Sequence, residues 1–195
     1  MTARFTSPHP DEMSPEQRAV YDLFASGRRT DPSSPFSLVD PSGRLQGPPA
    51  VWVLHPPLGQ ALERFGAAIR YDLTLPARAR EMAILMVGHH HRSAFEVYAH
   101  TRAGAAAGLS PADLDALAAG RQPELVTGEE RVTYAVTRRI LDTGALDREA
   151  YAEAVAELTV ERLFELVTLV AYYTMLTVQL GVFELLPPGE PETSR

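Results

Sequence analysis

Cysteine is absent from all 195 residues of the chain. That absence excludes disulfides, zinc–thiolate sites, iron–sulfur clusters and any thiol nucleophile, because each needs a cysteine thiol that the chain does not have. A concentrated positive charge is missing too. The 18 Lys and Arg are outnumbered by 25 Asp and Glu, the formal net charge is −7, and the arginines are scattered in ones and twos. No nucleic-acid partner is expected from such a surface. The opening stretch MTARFTSPHPDEMSPEQ has no continuous apolar core of the signal-peptide kind, and no later segment is expected to reach the uncharged length that spans a bilayer. The expectation is a soluble, cytoplasmic protein with no membrane partner.

What is present is an apolar share of 45%, enough to fill one core at this length. Residues 1–13 are polar and punctuated by proline, and read as a flexible arm. A single all-helical domain is expected over 14–186, with 187–195 as a tail. Ser14-Pro15-Glu16-Gln17 joins a capping serine, a proline at the first helical position and a glutamine placed to close the box. Residues 27–49 are rich in Gly, Pro, Ser and Asp and form a long connection. Further helices are expected from about Pro57 to Tyr71, from Leu75-Pro76 through the apolar run REMAILMVGHHH, and from Ser93 to Gly108. Ser110, Thr127 and Asp147 then open three more, the last of these ending at Leu158, and a final helix runs from about Val160 to Leu185. No strand pattern competes, so the fold class is all-α, built of packed helical hairpins.

The chemistry-bearing stretch is EMAILMVGHHHRSAFEVYAH, Glu81 to His100. Ser93, Glu96 and His100 are spaced three and four apart, so on a helix they share one face. A carboxylate four residues before an imidazole fixes its tautomer and raises its pKa, which makes His100 a candidate proton donor or acceptor with Glu96 as its orienter. Structural roles compete with these. Ser93 and Glu96 also make a capping box, Glu81 stands three residues after Arg78 and so could form a solvated ion pair, and His100 could be a satisfied core histidine. His89-His90-His91 invites a metal reading, but neighbouring side chains on a helix fan out by about 100° and cannot face one ion together. No metal is expected. A pocket-lining role for His90 is preferred, and His91 and Arg92 are alternatively at a solvent-facing turn. Trp52 is a candidate pocket wall, Arg92, Arg70 and Arg44 are candidate carboxylate anchors, and Tyr172 and Tyr173 are expected to split between inside and outside.

The spacing of Glu81, Ser93, Glu96 and His100 resembles the motif of AhpD-like proteins, in which a glutamate is followed after eleven residues by Cys-x-x-Cys and, after three more, by a histidine. Both cysteines are replaced here. Phe95-Glu96-Val97 is similar to the Tyr-Glu-Trp stretch on the carboxymuconolactone decarboxylase side of the same superfamily. Leu75-Pro76, Arg80-Glu81-Met82-Ala83-Ile84-Leu85, Ala107-Gly108-Leu109-Ser110 and Tyr172-Tyr173-Thr174-Met175 with Phe183 also look like this group. The likeness covers roughly 50–186 and is most specific over 75–110. It implies an AhpD-like helical bundle that assembles as a homo-oligomer, a dimer, trimer or hexamer, consistent with the near-continuous apolar stretch 163–186. It implies a cofactor-independent acid/base enzyme acting on a small carboxylic acid or lactone, with decarboxylase as the leading class and isomerase, lactone hydrolase or cyclase as alternatives. A non-catalytic oligomeric binding module is the rival reading. His100, Glu96 and Glu81 would be catalytic, and His90, Ser93, Trp52 and Arg92 would bind substrate. Thiol-based peroxide reduction, which the two cysteines carry out in AhpD-like proteins, is excluded.

Overall fold

The computed structural model describes residues 4–26 and 36–189. The part of the long connection over 27–35 and the end of the tail therefore lie outside the described residues. The described residues form helices and connections: no strand occurs among them, and their only β-type pairing is an isolated antiparallel bridge between Val39 and Leu45. Among the described residues eight α-helices follow in order, α1 (Pro15–Phe24), α2 (Pro49–Trp52), α3 (Pro56–Tyr71), α4 (Ala77–His90), α5 (Ala94–Ala106), α6 (Pro111–Ala118), α7 (Gly128–Thr143) and α8 (Arg148–Phe183). The all-α expectation holds.

Most helix starts follow the local signals. Ser14 and Ser110 close capping boxes with Gln17 and Asp113, and the Thr127 hydroxyl accepts the Glu130 amide. Gly144 ends α7 in the left-handed conformation that only glycine adopts without strain. α8 is two helices in series. Thr159, at φ 72° and ψ 163°, breaks it where the expected helices were separated.

The chain divides into two compact units, Met1–Asp72 with Val178–Arg195, and Leu73–Thr177. In the first, α1, α2 and α3 pack together around Val20, Phe24, Trp52, Val53 and Ile69. The amino-terminal arm is tied down inside this unit, where Arg4 pairs with Glu184 at 2.6 Å and Phe5 meets Phe183 edge to face.

The second unit is organised on α4. Every residue from Glu81 to Gly88 is buried, as the unbroken apolar run implies, and α4 touches α5, α6 and α7. Met82, Leu85 and Met86 form a core cluster with Leu109 and Leu117. The start of α4 has no side-chain cap of its own. Instead the Glu165 carboxylate of α8 accepts the amides of Thr74 (2.8 Å) and Leu75 (3.1 Å) just ahead of it. Arg78, on the first turn, donates to Glu130 of α7 (2.6 Å), Asp113 of α6 (3.1 Å) and the carbonyls of Gly108 and Glu124. Arg78 is thus engaged away from Glu81, and the alternative of a solvated Arg78–Glu81 pair is not what forms.

One expectation about composition is corrected. Part of α8 reaches a mean hydropathy of 1.7 over a window long enough to cross a membrane by length and composition alone. The reason is that 166–183 holds no charged side chain. Within Leu73–Thr177, the same helix supplies buried Leu163, Leu166, Leu169, Val170, Tyr172, Tyr173 and Leu176 to the core.

Arg78 joins three helices through mostly buried ion pairs, so removing only the cation leaves two carboxylates without their partner. Arg78→Met is expected to lower unfolding free energy by about 3 kcal/mol, measured by urea denaturation. A loss under ~1 kcal/mol would show that the cluster behaves as a surface network.

Candidate functional site

α4 and α5 form a hairpin whose turn sets the site. The amide of Ser93 bonds the carbonyl of Gly88 (2.9 Å) and that of Arg92 bonds His89 (3.1 Å), the paired bonds of a Schellman turn. Its left-handed residue is Arg92, at φ 54°, where glycine is usual. The turn reverses the chain tightly enough that a Cβ at Gly88 would lie 3.4 Å from Cβ of Glu96 and 3.3 Å from Val97. The absent side chain at Gly88 thus lets α5 approach α4 at the level of Glu96.

This register brings three ionisable side chains into one buried cluster. His100 Nδ1 lies 2.6 Å from Glu81 Oε2, across the hairpin, and His100 Nε2 lies 3.4 Å from Glu96 Oε2, one turn back on α5. Glu81, Glu96 and His100 are 8%, 3% and 3% exposed. The ring of Tyr173, on α8, meets the imidazole edge to face at 5.0 Å between centroids, and Tyr172 meets Tyr173 edge to face in turn. Glu81 Oε1 is 3.8 Å from Arg80 Nε.

Two effects compete for the ring proton. Burial alone pulls the imidazole pKa down, but hydrogen bonds and charge from Glu81, then Glu96, outweigh it and push His100 up to about 9. The ring is therefore an imidazolium at neutral pH. It donates from Nδ1 to Glu81 and points its second N–H at Glu96. The imidazole thus stands between two carboxylates, one at each ring nitrogen, an arrangement along which a proton can pass.

Several sequence expectations change here. The Ser93–Glu96 capping box does not form: Ser93 is the N-cap of α5 but makes no side-chain cap bond, and the Glu96 side chain lies against His100 instead of reaching back to the cap. Glu81, not Glu96, makes the shorter contact with His100. Tyr172 and Tyr173 do not split; both are buried. His90 is exposed at the hairpin turn and meets His91 edge to face, and Arg92 is exposed there too, as in the solvent-facing alternative for it. Burial holds the pKa of half-exposed His89 below the usual histidine range.

Trp52 lies in the other unit, buried against Phe24, with its indole N–H donating to Gln179 at 2.8 Å. There too, Arg44 donates to the Ser7 carbonyl at 2.5 Å and Arg70 sits over Phe36. No group of three or more potential metal ligands occurs among the described residues. Sequence reasoning missed Tyr173 as a neighbour of His100. Its only signal was an aromatic on the buried stripe of the last helix.

Residues 56–139 match the model of the carboxymuconolactone decarboxylase family. That stretch includes Glu81, Ser93, Glu96 and His100. No curated protein and no solved structure matches the chain.

The raised His100 pKa links stability to pH with a definite sign. The folded ring holds its proton up to about 9, whereas an unfolded histidine releases it near ~6.5. The stabilisation is complete below that lower value and disappears as pH rises through the upper one. Chemical denaturation of the protein is expected to show stability falling between about pH 6.5 and 9, with the slope lost in His100→Gln. An equal slope in the variant would assign the pH dependence elsewhere.

Proposed function

We propose that this chain, which through residues 56–139 belongs to the carboxymuconolactone decarboxylase family and has no cysteine in that segment, is an acid/base enzyme acting on a small carboxylic acid or lactone, with decarboxylation as the leading reaction. The observation that carries this reading is the buried Glu81–His100–Glu96 array. Two carboxylates on one imidazolium, away from water, are arranged for proton transfer. The cluster is costly to bury unless all three members are paired, and perturbed titratable groups of this kind concentrate at functional sites.

Glu81 fixes the ring through Nδ1 and keeps it charged. His100 is the proton reservoir. Glu96, at the opposite ring nitrogen, is the group that exchanges the proton with substrate. In decarboxylation the carbon–carbon electrons move into the lactone carbonyl as carbon dioxide leaves. The resulting enolate takes up at carbon the proton that His100 passes through the Glu96 carboxylate, and solvent then restores the proton to the ring. No redox change occurs, and nothing but a proton is exchanged with the protein. Isomerisation, lactone opening or cyclisation would draw on the same array through the same enolate.

Turnover of a panel of lactone acids and enol-lactones tests the reading. Wild-type protein is expected to turn over at least one of them. Glu96→Gln and His100→Gln should each lower kcat by about 100-fold or more, and Glu81→Gln should lower kcat with a shift in the pH profile, since it acts through His100. If no compound is turned over, or if these variants leave kcat unchanged, the enzyme reading fails and a binding module remains.

The same reading takes the protein to work in the cytoplasm as a soluble homo-oligomer. Its support is a face of α8 that exposes Val160, Phe164, Val167 and Ala171 at alternating spacings of four and three, the period of a helix–helix seam. Phe164 is 70% exposed. Light scattering on the eluting protein is expected to give an oligomer, with Phe164→Glu shifting it to a smaller species. A wild-type monomer would remove the assembly from the account.

A further inference from the structure

The start of α5 has two polar features that the proton array does not use. The helix has no side-chain cap, and the amides of a helix's first turn have no acceptor within the helix. The Ser93 hydroxyl that would normally serve them is itself unsatisfied: its oxygen is shut off from solvent and has no hydrogen-bond partner, in a residue only 8% exposed. A buried hydroxyl without a partner is costly, and such groups call for a physical reason. A serine in the N-cap position usually resolves both problems at once by accepting an amide of the first turn, as Ser14 and Ser110 do elsewhere in this chain. At Ser93 both are left open, and both are donors.

The geometry points to a carbonyl-oxygen site: we propose that the Ser93 hydroxyl and the first-turn amides of α5, including that of Glu96, together hold the oxygen of a lactone or ketone substrate as it becomes an enolate. The inference rests on the proton-transfer reading above and names what that reading leaves open, the group that stabilises the oxygen while Glu96 handles the carbon. Ser93 and Glu96 are one turn apart, which places their side chains about 5–6 Å from each other at Cβ. An enolate's oxygen and its α-carbon can bridge that span, oxygen toward Ser93 and carbon toward the Glu96 carboxyl.

Charge favours the same placement. The positive end of the helix dipole faces the oxygen, and fixed donors in a water-poor site act most strongly on charge that develops during reaction. In decarboxylation the enolate oxygen takes over the charge the departing carboxylate carried, so the site accommodates no extra negative charge beside Glu81 and Glu96. His100 is two turns further along α5 and stays with its two carboxylates. Ser93 thus becomes a substrate-touching residue with a role distinct from capping.

Tetronate, a stable cyclic enolate, serves as the probe, with γ-butyrolactone as its uncharged counterpart, both titrated calorimetrically against the whole chain. Wild-type protein is expected to bind tetronate more tightly than the lactone. Ser93→Ala should weaken tetronate by about tenfold or more and the lactone much less. Ser93→Asp supplies a carboxylate that caps α5, so it should abolish tetronate binding while raising the melting temperature or leaving it unchanged. That variant separates loss of the site from loss of the fold. Tetronate binding as tight in Ser93→Ala and Ser93→Asp as in wild type, or tetronate bound no better than the lactone, overturns the proposal. Binding is measured without turnover. Ser93-dependent tetronate binding in a protein that turns over no lactone acid would therefore sink the proposed reaction and leave this site standing, and the converse result would do the opposite.

Discussion

Two carboxylates share one buried imidazolium, and the second compact unit is organised to make that arrangement possible. Any one of Glu81, Glu96 or His100 buried alone would give up its charge instead of staying ionised. Together the two carboxylates hold the ring charged, bonded at one nitrogen across the hairpin and facing a carboxylate at the other along its own helix. The requirement reaches outward from there. α4 is buried on nearly every side among α5, α6 and α7, Gly88 spares α5 a Cβ contact tighter than ordinary packing, and Arg92 takes a left-handed backbone in the turn between them.

The same unit contains a second ion cluster, and the contrast clarifies the first. Arg78 ties α4 to α6 and α7 through Asp113, Glu130 and two carbonyls. Those pairs hold its guanidinium pKa above the already high value of arginine, against the opposing effect of burial. Its proton is never available. His100 lies in a comparable ionic setting but its pKa, about 9, falls within reach of catalytic proton exchange. One cluster fixes helices and the other can transfer a proton, because of the cation each contains. Three carboxylates bound by cations or amides, Asp113, Glu130 and Glu165, brace the helices that position Glu81.

Local spacing made much of this legible before any coordinates. Helix starts at Ser14, Ser110 and Thr127, the burial of α4 and the helix break near Thr159 all depend on residues within a few positions of one another, and each lies where the pattern put it. Glu96 and His100, four apart, were readable for the same reason. Glu81 was not readable from spacing, since its approach to His100 depends on hairpin register, and only the family resemblance suggested it. Ser93 shows the opposite failure: a sound local rule predicted a capping box, but the Glu96 side chain faces the imidazolium and the Ser93 hydroxyl makes no cap bond. His90 and Arg92 were overvalued because sequence places them beside the site, whereas the turn faces them outward.

The account stands on His100 being a doubly held imidazolium at neutral pH. Long-range 15N–1H NMR of the histidine rings across a pH titration measures this directly. The account predicts that both His100 nitrogens carry protons at pH 7 and that deprotonation is centred near pH 9, in line with the raised pKa of the buried ring. A neutral His100 ring at pH 7, with one nitrogen unprotonated, would contradict it.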